Sequence, residues 1–263
     1  MEAHVNVRLA VEETSQVGAA RRAALELAAA AGLGESERSN LAIVVTEAAG
    51  NLVKHAGGGW VLLRALEPQH NARRGVEVLC VDRGPGIANV AASMRDGYST
   101  TGTLGGGLGA IRRMADEFDL HSAPGHGTAL MARVHASGTA RNGAGPLEVG
   151  AAAAVASVEP GGAVRYCGAG NTSGSVYGPD SHVHMVSQPG TLGHVAPRPR
   201  AFDYRVGRAA LIVMHTDGIS ARWSLDAYPG LAQRHPSLIA AVLYRDFGRD
   251  SDDATVLVAR VRA

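Results

Sequence analysis

Cysteine is scarce. The two in 263 residues, Cys80 and Cys167, fall in apolar, strand-like runs in different halves of the chain. That usage excludes a disulfide framework and a paired-thiolate metal site, and both thiols read as small buried hydrophobes. Aromatic residues make up only 4%, so any core must rest on Val, Leu, Ile and Ala. An excess of one charge is missing too: the net charge of +1 exerts no bulk pull toward nucleic acid or a membrane surface. No apolar run reaches the roughly 20 residues of a membrane span. The opening M-E-A-H-V-N-V lacks the basic head and apolar core of a secretory signal. The expectation is a cytoplasmic protein with neither a nucleic-acid nor a membrane partner. Glycine is abundant, at 34 residues, which with the many alanines reflects coding bias more than a special fold. The length suits one large or two modest domains.

The most informative stretch is Thr46–Ala56, T-E-A-A-G-N-L-V-K-H-A. Glu47, Asn51 and His55 recur every four residues with Lys54 beside them, so a helix over Glu35–His55 carries all four on one flank. Leu41, Ile43, Val44, Val45, Ala48 and Leu52 fill most of the remaining surface. Taken alone, the polar flank reads as an ordinary solvated helix face. Two glycine-bearing stretches alter that reading. Val76–Ile87, V-E-V-L-C-V-D-R-G-P-G-I, is an apolar strand pattern ending in D-x-G-x-G. Thr103–Ala110, T-L-G-G-G-L-G-A, opens an apolar helical pattern. A glycine-rich loop entering a helix N-terminus can cradle phosphate, because free N–H groups and the helix dipole favour an anion.

One such loop is weak evidence, but the ordered set is specific: E-x-x-x-N, then D-x-G-x-G, then the glycine-rich loop, then G-x-G-T at Gly125–Thr128. It resembles the N, G1, G2 and G3 boxes of the GHKL (Bergerat) ATP-binding fold over about Val5–Val134. The Glu of the N box, followed by Lys54-His55-Ala56, is most similar to the anti-sigma factor serine kinases and related switch kinases. The resemblance implies an α/β two-layer sandwich, with helices on one face of a mixed sheet, that binds ATP and Mg²⁺. Asn51 would hold the magnesium, and Glu47 would act as general base toward a Ser or Thr hydroxyl. Asp82 would accept from the adenine amino group, with Gly84 and Gly86 letting the backbone approach the base beside Ile87. Thr103, Leu104, Gly105, Gly106, Gly107, Leu108 and Gly109 would surround the phosphates, and the Thr128 hydroxyl would support the adenine contact. Lys54 and His55 either line the phosphate side or form a solvated helix end, where cations are favoured anyway.

In order along the chain, Val5–Val11 alternates as a half-buried strand. Thr14 or Ser15 is placed to cap a helix through about Ala31. Trp60–Leu66 and Gly75–Val81 read as paired strands about a polar loop, Pro68–Arg74. Asn89–Thr103 reads as a mobile lid, Leu108–Phe118 as a helix, and Phe118–Ser122 and Thr128–His135 as closing strands. The first domain is placed at 1–137. The small, turn-rich S-G-T-A-R-N-G-A-G-P reads as a linker, placed at 138–146, with a second domain over 147–263.

The second half is strand-rich. Ala151–Val158 and Ala163–Cys167 read as a hairpin, Gly168–Asn171 as a tight turn and Ser173–Tyr177 as a strand. Ala209–His215 is a buried strand, Pro236–Phe247 a helix and Val256–Val261 the last strand. G-A-G-N at 168–171, T-D-G at 216–218 and D-D-A-T-V at 252–256 resemble the metal-dependent serine/threonine phosphatases of the stage II protein E (PPM) type. The resemblance implies a partial phosphatase-like α+β domain and makes Asp217 and Asp252 candidate metal ligands, with Mn²⁺ as the ion. Each aspartate alone also reads as a turn or cap residue. The family's opening G-D strand and D-G-x-G-H-G stretch are missing, so about half of that domain is absent, and two carboxylates do not make a two-metal site.

Three functions from different classes follow. The first is a switch-type serine/threonine kinase acting on a small anti-anti-sigma-like partner, or on another sigma-factor regulator, with homodimerisation left open. The second is a non-catalytic, nucleotide-gated partner-binding module. The third is a phosphatase with an ATP-binding regulatory domain, which the missing ligands disfavour. Glu47 favours the first over the second.

Overall fold

A computed structural model describes residues 6–66, 73–94, 107–137, 153–159, 162–178, 181–189, 200–207, 209–249 and 253–261. The chain divides into two compact units, Met1–Gly145 and Pro146–Ala263. The 138–146 linker, residues 95–103 of the expected lid and most of the 68–74 loop lie outside the described residues.

In the first unit, strand β1 (Asn6–Val11) turns Val7, Leu9 and Val11 inward. It is followed by helices α1 (Thr14–Ala30) and α2 (Glu35–Asn51). The α1 cap is Glu13 rather than Thr14 or Ser15. Gln16 Oε1 accepts the backbone N–H groups of Glu12 and Glu13, and the Ser15 hydroxyl donates to Glu13. Strands β2 (Gly59–Leu66) and β3 (Gly75–Val81) form a hairpin. A short helix α3 (Val90–Ser93), at the start of the expected lid, and α4 (Gly107–Met114) lead to a second hairpin of β4 (Glu117–Ser122) and β5 (Thr128–His135). Helix α4 stops at Met114, four residues before the expected end. Asp116 N–H donates to the Arg133 carbonyl, and Asp116 Oδ2 accepts the His135 N–H, so both draw the chain into the sheet.

The sheet order is β1-β2-β3-β5-β4, and every pairing is antiparallel. The helices-on-a-sheet sandwich matches the expectation, but the sheet is not mixed. The helical crossover from β3 to β4 makes those two strands parallel, and β5 is inserted between them, so no parallel strands are neighbours. The core lies between the helices and the sheet: Leu41, Val44, Val45, Ala48 and Ala49 of α2 pack with Val61, Leu63, Val76, Val78 and Ala132. Ile43 does not join them and is 42% exposed.

Among the described residues, the second unit has two sheets. In the first, β7 (Ala163–Ala169) pairs with β6 (Ala153–Val158) on one side. On the other it pairs with β11 (Phe202–Arg205) and, in parallel, with β10 (Ser187–Gln188). Strand β7 runs on through Gly168 and Ala169, so the expected turn shrinks to Gly170-Asn171. The second sheet has the order β13-β12-β8-β9, from β13 (Val256–Arg260), β12 (Leu211–Thr216), β8 (Thr172–Tyr177) and β9 (His182–Met185). Tyr166, Val164, Val176, Met185 and Ile212 fill a core drawn from both sheets. Helix α5 (Pro236–Phe247) contributes the buried Leu238, Ile239, Val242 and Leu243. No described helix is long and apolar enough to cross a membrane.

Candidate nucleotide site

The last turns of α2 set the site. Buried Leu41, Val44, Val45 and Ala48 fix the helix roll, which leaves Glu47 and Asn51 half-buried on one flank. After Asn51 the helix widens into one π turn, Leu52–Ala56, closed by Gly57 at φ 73°. A π turn advances each residue by less than the roughly 100° of an α-helix. Asn51 lies one α-helical turn after Glu47, whereas Lys54 and His55 fall within the π turn. Lys54 and His55 are both exposed. Single π turns concentrate at functional positions because they re-aim side chains without ending the helix.

Asp82 follows β3 and is only 6% exposed. Its Oδ1 accepts N–H bonds from Gly84 at 2.8 Å and Thr128 at 3.1 Å. Asp82 N–H in turn donates to the Thr128 carbonyl at 2.9 Å. A carboxylate so held has a fixed plane before any ligand arrives. Cys80, two residues earlier, has its thiol pushed up to about 12, first by burial and then by the negative charge of Asp82.

Two glycines of the loop are required by packing. A Cβ on Gly84 would lie 2.7 Å from Ala56 Cα, and one on Gly86 would lie 2.0 Å from the Ala123 carbonyl oxygen. Gly86 also has φ +73°. Their small size therefore lets the loop close on the π turn and on the 123–127 turn. Gly107 differs: a Cβ there would meet no atom within 4 Å, so packing does not require it. Gly107, Leu108 and Gly109 form the first turn of α4, which Ile111 anchors in the core. Thr103, Leu104, Gly105 and Gly106 lie outside the described residues.

Three features here were not anticipated from sequence. Ser122 Oγ accepts the Ile87 N–H at 2.8 Å, donates to the Gly127 carbonyl at 3.0 Å and bonds Thr128 Oγ1 at 3.0 Å. It ties the loop after β3 to the turn before β5. Glu77, 1% exposed, is paired with Arg64 on β2 and Arg133 on β5, each at 2.7 Å. Trp60 lies under the guanidinium carbons of Arg8, at 5.0 Å, and Arg83, at 5.7 Å. The only sequence signal for these was position: facing residues on strands whose register was not yet known.

The region 6–134 matches the family model for the histidine kinase-like ATPase domain. The serine/threonine-protein kinase RsbT of Bacillus subtilis (strain 168) is 33% identical over 114 residues, which is 43% of this chain and 84% of RsbT. The chain belongs to the histidine kinase-like ATPase family. The matched region and the four ordered boxes fall on the first unit. Two solved structures are also similar. A structure of the RsbU and RsbW domains of a Mycobacterium tuberculosis protein is 16% identical, covering 53% of this chain and 34% of that one, with TM-score 0.37. The phosphatase domain of the Bacillus subtilis cell fate determinant SpoIIE is 14% identical, covering 56% and 84%, with TM-score 0.33.

In the second unit, Asp217 follows β12, and its Oδ2 accepts from the Asn171 amide at 2.9 Å. The expected metal ligand is thus engaged by a neutral donor from the G-A-G-N turn. Asp252 lies outside the described residues, and among those described no group of three or more His, Cys, Asp and Glu is arranged to hold a metal. His215 is a neutral tautomer fixed at both nitrogens. Nδ1 donates to the Thr216 carbonyl at 2.9 Å, and Nε2 accepts the Trp223 indole N–H at 3.1 Å.

Proposed function

We propose that the protein is an ATP-dependent serine/threonine kinase of the partner-switching type, whose substrate is a small anti-anti-sigma-like protein. The observation that carries this reading is the pairing of Glu47 and Asn51, one helical turn apart on one half-buried flank of α2, within a unit that also fixes the Asp82 carboxylate. The carbonyl oxygen of an Asn amide suits a magnesium ion that keeps most of its waters, so Asn51 would hold the metal. Magnesium bound there would neutralise charge on the phosphates. Asp82 binds and orients the base by accepting from its amino group. Glu47 accepts the proton of the substrate hydroxyl as that oxygen attacks the γ-phosphorus and the bond to the β-phosphate oxygen breaks, leaving ADP. Lys54 and His55, exposed on the π turn, would reach the phosphate side or remain a solvated helix end. The second unit acts as a regulatory scaffold in this reading, with any Mn²⁺ at Asp217 weakly held.

The test is incubation of the full chain with γ-labelled ATP, magnesium and a panel of anti-anti-sigma-type proteins. Label on a partner Ser or Thr is expected. The Glu47→Gln variant should bind ATP as the wild type does and transfer at least about a hundredfold more slowly, since it keeps shape and loses basicity. Nucleotide binding without transfer to any partner would replace this reading with that of a nucleotide-gated binding module. Equal transfer by Glu47→Gln would remove Glu47 from the chemistry.

A further inference from the structure

Ser122 was not in the expected site, yet its three hydrogen bonds determine how a neighbouring hydroxyl faces the base. A serine hydroxyl has one proton and two lone pairs. The Ile87 N–H, at 2.8 Å, takes one lone pair. The Gly127 carbonyl, at 3.0 Å, has no proton to give, so the serine proton must go there. The remaining lone pair faces Thr128 Oγ1 at 3.0 Å, and that contact is satisfied only if the threonine donates. Any other assignment sets two oxygen lone pairs against each other at hydrogen-bond distance. Thr128 has then spent its proton and can only accept from a ligand. Its own N–H is on Asp82 Oδ1 at 3.1 Å, so the two residues adjoin, and the ionised Asp82 carboxylate is also acceptor-only.

We propose that Ser122 is a specificity-determining positioning residue. By holding the Thr128 proton away from the base, it makes the base-facing side of the site acceptor-only, which fits a 6-aminopurine and rejects a 6-oxopurine. The proposal rests on the nucleotide-binding reading above. The discrimination follows from asymmetry in hydrogen bonding: an amino group facing two acceptors is satisfied, whereas a carbonyl oxygen facing them is buried unpaired and repelled. A threonine free to rotate would donate to a carbonyl as readily as it accepts from an amine. Fixing that proton is what makes the position selective.

The test is calorimetric binding of Mg-ATP and Mg-ITP to the full chain; the two share ribose and phosphates and differ in the 6-substituent and in the proton that the 6-oxopurine carries on N1. The wild type is expected to prefer ATP. Ser122→Ala should reduce the ATP:ITP affinity ratio about fivefold or more, the size of one hydrogen bond, and Ser122→Thr should restore it. Thr128→Val, which keeps shape and leaves the other two Ser122 bonds intact, should reduce the ratio similarly, so the proposal stays testable if Ser122→Ala does not fold. A purely structural Ser122 would weaken both nucleotides equally, and an unchanged ratio in either Ser122→Ala or Thr128→Val overturns the proposal. A wild type that binds neither nucleotide fails at an earlier step and overturns the nucleotide-binding reading along with it.

Discussion

The Asp82 carboxylate accepts the backbone N–H of Thr128 across 46 positions of sequence, at 3.1 Å. That bond joins the end of β3 to the start of β5 at the place where the base is proposed to bind. The residue proposed to recognise the ligand is thus also a structural tie between adjacent strands.

Asp82→Asn separates those two roles. The amide oxygen can still take the N–H groups of Gly84 and Thr128, while the other branch becomes a donor. Folding should survive, and ATP affinity should fall at least about tenfold, because a charge-assisted bond is lost and replaced by donor facing donor. Calorimetric titration at fixed magnesium checks this, and wild-type affinity would place the base elsewhere.

Gly86 and Gly125 form an internal comparison. Both have positive φ, at 73° and 76°. A Cβ on Gly86 would strike the Ala123 carbonyl at 2.0 Å, whereas one on Gly125 would meet nothing within 4 Å. Gly125→Ala should cost only the left-handed backbone penalty, about 1 kcal/mol. Gly86→Ala adds overpacking and should cost at least about 2 kcal/mol more. Urea unfolding of both variants should rank them in that order, and equal losses would show that the turn yields freely.

His182 sits with its ring centroid 4.6 Å from that of His184 and 5.4 Å from that of Trp223. Burial, and then the charge of His184, hold its pKa below the ordinary value, opposed by Asp226. The folded state therefore binds the proton less well than the unfolded chain. The sign is fixed: this contribution to stability is intact above about pH 6.5 and is lost as pH falls below that toward the folded value. The second unit's denaturation midpoint should drop on acidification from pH 7 to 5.5, and His182→Gln should make the drop smaller. An identical pH profile in the variant would assign the effect to other groups.

The Asn171–Asp217 bond bears on phosphatase chemistry. A two-metal site needs enough carboxylates to hold two dications and orient water between them, and here the aligned carboxylate is bonded to an amide instead. Manganese-dependent hydrolysis of a phosphoserine peptide should be no faster in the wild type than in Asp217→Asn. A clear wild-type rate abolished by that substitution would mean that ligands come from residues outside this set.

Much of the first unit was legible in the sequence because its signals are local. Apolar alternation marked β1, and β3 was marked by its run into Asp82. The i, i+4 repeat put Glu47 and Asn51 on one flank of α2, and the four boxes came in fixed order. Pro236–Phe247 was read to the residue. Tertiary structure decided what depends on pairing between distant segments. It set β5 between β3 and β4, stopped α4 at Met114, and buried Glu77 between two arginines from neighbouring strands. It also widened the end of α2 into a π turn, on which Lys54 and His55 are exposed. Ser122 illustrates the divide. In sequence it is one more strand serine, because a hydroxyl's role is set by which donors and acceptors the fold brings within about 3 Å. Here those come from Ile87, 35 positions away, and from the turn that returns to Thr128.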